Sequence, residues 1–168
     1  MKIIVLTNKH KFPYHIQITK ALNDIISANI FSAQTIDISP QTSRSDVTQQ
    51  LSSAPPDLII TLDLTGFELR TLTGECLLNM LPCKVCNIIW GENAEYSNYL
   101  SGKLSLSMLF YDATGIDNRL PSQYPNMRYY YPTAKAIPIL SLDKVNGESE
   151  TLESLQNIWN HFMKEALL

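Results

Sequence analysis

Six residues carry the chemistry this chain could do: Asn8, His10, Asp63, Trp90, Glu92 and Asp112. Each lies at or just past the carboxyl end of an apolar run, and in parallel α/β sheets ligands bind outside those ends. His10 sits in the loop Asn8-Lys-His-Lys-Phe-Pro-Tyr14. An imidazole there suits proton transfer near neutral pH. Asp63, Glu92 and Asp112, with Glu68 nearby, are carboxylates that could hold hydroxyls, a basic group or a metal. Trp90, beside Gly91-Glu92-Asn93, is a candidate stacking platform for a sugar or base. The expected site has Asn8 and the acids taking hydroxyls, Trp90 stacking, and His10 as its proton-transfer group. If a reaction occurs, His10, Asp63 and Glu92 are the candidates. The plainer readings are a solvated loop, capping carboxylates and strand-end packing. His15 and His161 read as structural or exposed.

Several better-defined signatures are missing. The six glycines include no pair two residues apart, so a GxGxxG dinucleotide loop is absent. Gly102-Lys103 is followed by Leu104 and precedes an apolar run, which is no phosphate-cradling loop. The first apolar run ends in Thr7-Asn8 and so lacks the paired acids of a phosphoacceptor site. A GxSxG elbow is missing as well. Cys83-Lys-Val-Cys86 is a CxxC, yet it runs into a strand. Residues three apart on a strand point to opposite faces, which suits neither a chelate nor a disulfide. Neither a metal nor a cofactor is expected.

Composition sets broader limits. The chain has 168 residues, 45% of them hydrophobic and 17% charged, with a formal net charge of −3. Those values suit one globular domain over 1–168 rather than a disordered chain. No basic cluster marks a nucleic-acid partner. The N-terminal apolar run is shorter than a signal-peptide core, and no stretch approaches a membrane span, so the expected location is cytoplasmic. Three cysteines at 76, 83 and 86 do not form a secreted disulfide framework.

The positioning elements follow from periodicity. Strands are expected at 2–7, 30–38, 58–62, 85–90, 106–111 and 127–131, with an edge segment at 136–140. Helices are expected at 15–28, where Ile18, Leu22 and Ile25 share a face, and at 44–53, where Val47 and Leu51 lie four apart. Weaker helical patterns cover 68–80, 95–104 and 118–123. A polar turn at 143–148 precedes an amphipathic helix at 149–168. Ser149 is its expected N-cap, and Leu152, Leu155, Trp159 and Phe162 form the stripe that packs back on the domain. Alternating strands and helices predict a three-layer α/β/α sandwich with a doubly wound, mostly parallel, Rossmann-like sheet. The expected strand order is 3-2-1-4-5-6, with the switch point between strands one and four.

Three segments carry a family resemblance: Pro56-Asp57-Leu58-Ile59-Ile60, Asn87-Ile88-Ile89-Trp90 and Leu109-Phe110-Tyr111-Asp112. With Asn126–Pro132 after them, the layout over roughly 2–138 resembles the N-terminal half of GT-B glycosyltransferases of the spore-maturation type. The resemblance implies an acceptor-binding half without its nucleotide-sugar domain. The chain is therefore expected to be a non-catalytic or incomplete module that binds a small polar or sugar-like ligand, a second protein or its own copy. The alternatives are a small transferase or hydrolase using a carboxylate with His10, and a homo-oligomeric assembly protein built on the Tyr-rich strand and terminal helix.

Overall fold

The computed structural model describes residues 1–90, 108–112, 129–130 and 145–167. Its strands are β1 (Lys2–Thr7), β2 (Ser32–Asp37), β3 (Leu58–Leu62), β4 (Lys84–Ile89), β5 (Met108–Asp112) and β6 (Tyr129–Tyr130). Its helices are α1 (His15–Ala28), α2 (Arg44–Ser53), the short α3 (Leu77–Met80) and α4 (Val145–Leu167). The six strands form one sheet in the order β2-β1-β3-β4-β5-β6, and every pairing is parallel. The fold is a three-layer α/β/α Rossmann-like sandwich.

The order corrects the expected one. β3 lies beside β1, with Ile3 opposite Leu58 and Leu6 opposite Thr61, so the switch point falls between β1 and β3. Periodicity fixes what a strand is and leaves its neighbour open. β1 and β3 are both apolar runs buried on two faces, as parallel strands are, and such runs carry no register code.

Two apolar layers flank the sheet. Ile3, Val5, Leu58, Ile60, Cys86 and Ile88 point to one side, against Ile18, Leu22 and Ile26 of α1 and Leu155, Trp159 and Phe162 of α4. Ile4, Leu6, Ile59, Val85, Ile89 and Phe110 point to the other, against Val47 and Leu51 of α2 and the Leu64–Leu81 segment. The alternation is the period-2 consequence of extended backbone. It also settles the CxxC: Cys83 belongs to the second layer and Cys86 to the first. Burial pushes the Cys83 thiol up to about 11, with the Asp57 charge adding, and holds the Cys86 thiol well above its ordinary value. Both cysteines are free.

Two expected elements differ. Residues 68–80 do not form one helix. A run of tight turns, an antiparallel bridge between Arg70 and Cys76, and the four-residue α3 replace it. Gly66 and Gly74 take left-handed φ of 99° and 84°, and the Thr71 hydroxyl accepts from the Glu75 amide, so local bonds compete with the helix. The last helix begins at Val145, which places Ser149 inside it rather than at its cap. The segments at 95–104, 118–123 and 136–140 lie outside the described residues. Among the described residues, no helix is long and apolar enough to cross a membrane.

Candidate functional site

The switch point opens between two loops, residues 8–14 after β1 and 63–69 after β3. The centre of the site is Asp63, immediately past β3 and 1% exposed. Its amide donates to the Ile88 carbonyl, which ties it to β4. Its carboxylate collects donors from three elements. Oδ1 accepts from the Trp90 amide at 2.6 Å. Oδ2 accepts from the Tyr14 hydroxyl at 2.7 Å and lies 2.9 Å from His15 Nε2.

The protonation pattern of His15 follows from its other nitrogen. The Asn8 amide lies 3.0 Å from Nδ1, and an amide N–H can only donate, so Nδ1 carries the lone pair. The ring is therefore the neutral tautomer with its proton on Nε2, donated to Asp63. Charge-assisted bonds of this kind are stronger than neutral ones, and a carboxylate accepting from several sides is well satisfied away from water. Burial pushes the Tyr14 phenol far above its ordinary value, and the Asp63 charge and hydrogen bond add to that. Phe12 lies 4.9 Å from the His15 ring centroid, and Tyr14 meets it edge-on at 5.1 Å, so aromatic rings enclose the imidazole.

The loop around this cluster is tightly bonded within itself. The Lys11 amide donates to Asn8 Oδ1, the Phe12 amide to the Asn8 carbonyl, and the Lys9 amide to Asp37 Oδ1 at the end of β2. The second loop is equally closed. The Thr65 amide donates to the Leu62 carbonyl at the end of β3, those of Phe67 and Leu69 to the Leu64 and Gly66 carbonyls, and the Gly66 amide to Glu68 Oε2. Gly66 also passes so close to β1 that a Cβ there would lie 2.6 Å from Leu6 Cδ1. Asp63 and Leu64 hold φ of 49° and 59°, a left-handed pair that non-glycine residues adopt at a cost. Three hydrogen bonds to the Asp63 carboxylate and the burial of Leu64 offset that strain.

The sequence-predicted residues divide sharply. Asn8 and Asp63 both join this network, through a backbone amide and a carboxylate. His10 is exposed on the loop, while the imidazole at Asp63 belongs to His15. Trp90 is corrected as a stacking platform. Its indole is fully buried in the layer with α1 and α4, and its Nε1 has no acceptor among the described residues. Glu92 lies outside the described residues. Asp112 ends β5, opposite Ile89 of β4. No group of three or more His, Cys, Asp or Glu suited to a metal occurs among the described residues.

Sequence reasoning missed His15 and Tyr14. The spacing of Tyr14-His15 to Asp63 carries no signal, because the pair meets only through β1–β3 adjacency. A second buried polar link, also unforeseen, runs from Thr61 Oγ1 to Asn87 Oδ1 at 2.8 Å and on from Asn87 Nδ2 to the Leu109 carbonyl.

No protein-family model and no curated protein matches this sequence. Among solved structures, the chain is similar to an oxidoreductase from Corynebacterium diphtheriae, with TM-score 0.47, 9% identity and 98% of each chain covered. It is also similar to a flavodoxin-like domain from Synechococcus, with TM-score 0.44 and 11% identity, covering 96% of this chain and 99% of that one. A third, the constitutive lysine decarboxylase of E. coli, has TM-score 0.39 and 15% identity, and 18% of it is covered. At these levels the matches say nothing of activity. The strand order corrects the resemblance to a GT-B half. The order β2-β1-β3-β4-β5 is that of flavodoxin-like folds, whereas the expected order was 3-2-1-4-5-6.

One fold with this order, flavodoxin, holds FMN at the β1/β3 switch point. The loops here do not fit its phosphate. A phosphate cradle needs unspent amides. The amides of residues 8, 9, 11, 12, 65, 66, 67 and 69 are spent internally, and the carboxylates of Asp37 and Glu68 sit among them.

Proposed function

We propose that this chain is a non-catalytic binding module that takes a small, polar, negatively charged ligand on the outer rim of the 8–14 loop. The observation behind it is the closed state of the switch point. Both ring nitrogens of His15 and both oxygens of Asp63 are committed to bonds within the fold. A general base must offer a free lone pair to its substrate. This cluster instead works as a rigid support for the loop above it. That loop presents Lys9, His10 and Lys11 in succession, with His10 and Lys11 exposed. Lys11 extends over the Phe12 ring at 5.4 Å from its centroid. Rigid support beneath exposed polar groups lowers the ordering cost of binding.

A thermal-shift panel tests this reading. Nucleotides, sugar phosphates and small carboxylates at millimolar concentration are the probes. A ligand at a hundred times its Kd stabilises the fold by about 2.7 kcal/mol. At least one probe should raise the melting temperature, and the double variant Lys9→Ala, Lys11→Ala should lose that shift. A panel that leaves the melting temperature unmoved sinks the proposal.

A further inference from the structure

We infer that the hydrogen bond from the Asn8 amide to His15 Nδ1 is a pH-sensitive latch on the β1–α1 loop. His15 is fully buried, and its two nitrogens face opposite demands. Nε2 points to a carboxylate at 2.9 Å, a partner that welcomes a proton on the ring. Nδ1 faces a backbone donor at 3.0 Å, which requires an empty lone pair. Protonation at Nδ1 sets two hydrogens against one another. Asn8 must then move, while the imidazolium keeps Asp63 as its counter-ion. The latch thus has two states, each with a satisfied Nε2 and only one with a closed loop.

Moving Asn8 has consequences beyond one bond. Its side-chain oxygen holds the Lys11 amide and its carbonyl holds the Phe12 amide, so the turn hangs on this residue. Few charged groups among the described residues surround the ring. Asp63 faces it from the end of β3, and the Tyr14 phenol shares the same carboxylate oxygen. Asp37 at the end of β2 holds the Lys9 amide, and Lys9, His10 and Lys11 follow in the loop. The local positive charges of the loop and the Asp63 carboxylate act on the ring in opposite senses. Steric exclusion at Nδ1 acts regardless of that balance, so the inference holds whatever the protein binds.

Nitrogen-15 NMR on the intact protein decides the matter. The neutral His15 ring should show the Nε2–H tautomer, and the Asn8 amide should then be protected from exchange. On acidification of the folded protein, protonation of Nδ1 should coincide with a roughly tenfold or greater fall in the protection factors of Asn8 and Phe12. In His15→Asn, whose Oδ1 can still accept from Asn8 and does not titrate, those factors should stay constant. Protection that persists while Nδ1 gains its proton overturns the latch. So does a ring that keeps Nδ1 bare throughout the range. If His15→Asn does not fold, the wild-type ring and amide signals alone decide.

Discussion

Two places among the described residues force non-glycine residues into the left-handed region, and they are built in opposite ways. At the switch point, Asp63 and Leu64 sit at φ 49° and 59°, sealed from water, with the Asp63 carboxylate bonded to three elements. At the end of α1, Ile30 sits at φ 65° and is 93% exposed. The backbone there forms a Schellman ending. The Phe31 amide donates to the Ile26 carbonyl, and the Ile30 amide donates to the Ser27 carbonyl. Glycine or asparagine normally fills that position, because a β-branched side chain crowds its own carbonyl. The first strain is offset by tertiary bonds; the second has no compensation beyond the helix ending itself. Strain that the surrounding structure over-determines marks a position the fold depends on, whereas strain at an exposed helix end is simply tolerated.

Breaking the first region should have the largest effect. Asp63→Ala strands a phenol, an imidazole N–H and a backbone amide in a buried site. It should cost about 3–5 kcal/mol in urea unfolding. A loss under about 1 kcal/mol would show that water reaches the cluster readily. Leu64→Gly next tests the strain itself. Relief of the left-handed penalty returns about 1–2 kcal/mol, but the lost side chain in the second apolar layer outweighs it. A net loss of about 2 kcal/mol is expected from the same measurement.

Tyr14→Phe should cost about 1–2 kcal/mol near neutral pH. It should also change the alkaline limb of the stability profile. A phenol whose pKa is raised on folding contributes stability that is complete below the unfolded value, about 10, and fades as pH rises above it. Wild type should therefore lose stability between about pH 10 and 11.5 more steeply than Tyr14→Phe does. Parallel profiles would remove the Tyr14–Asp63 bond from the argument. The smallest effect has the opposite sign. Ile30→Gly should stabilise by about 0.5–1 kcal/mol, as backbone relief exceeds the added entropy of the unfolded chain. A destabilised Ile30→Gly would mean that the exposed isoleucine contributes something the helix ending does not explain.

How much of this was legible beforehand varies by residue. α1 and α2 were readable to their ends, because Ile18, Leu22 and Ile25, and Val47 and Leu51, repeat at helical spacing. Ser43 before α2 caps it by accepting from the Asp46 amide. Asp63 was legible as a strand-end acid. Its partners were not, since Tyr14 and His15 lie 49 and 48 residues away in sequence. Trp90 illustrates the converse. An aromatic at a strand tip reads the same whether its ring turns outward or into the core, and only the packing of α1 and α4 chose the core.

Outside the 68–80 segment, local chemistry in the sequence determined which of the described segments are strands and helices, which faces they bury, and that the two cysteines of the CxxC point apart. Those properties depend on side-chain period, which is written in every segment. The tertiary structure alone decided that β3 lies beside β1. Two apolar strands buried on both faces can be neighbours or not without changing a residue. That single choice brought Asp63 onto His15 and Tyr14. It made the switch point a closed network, which no spacing in the chain announces, because a buried carboxylate is recognised only by the donors that surround it.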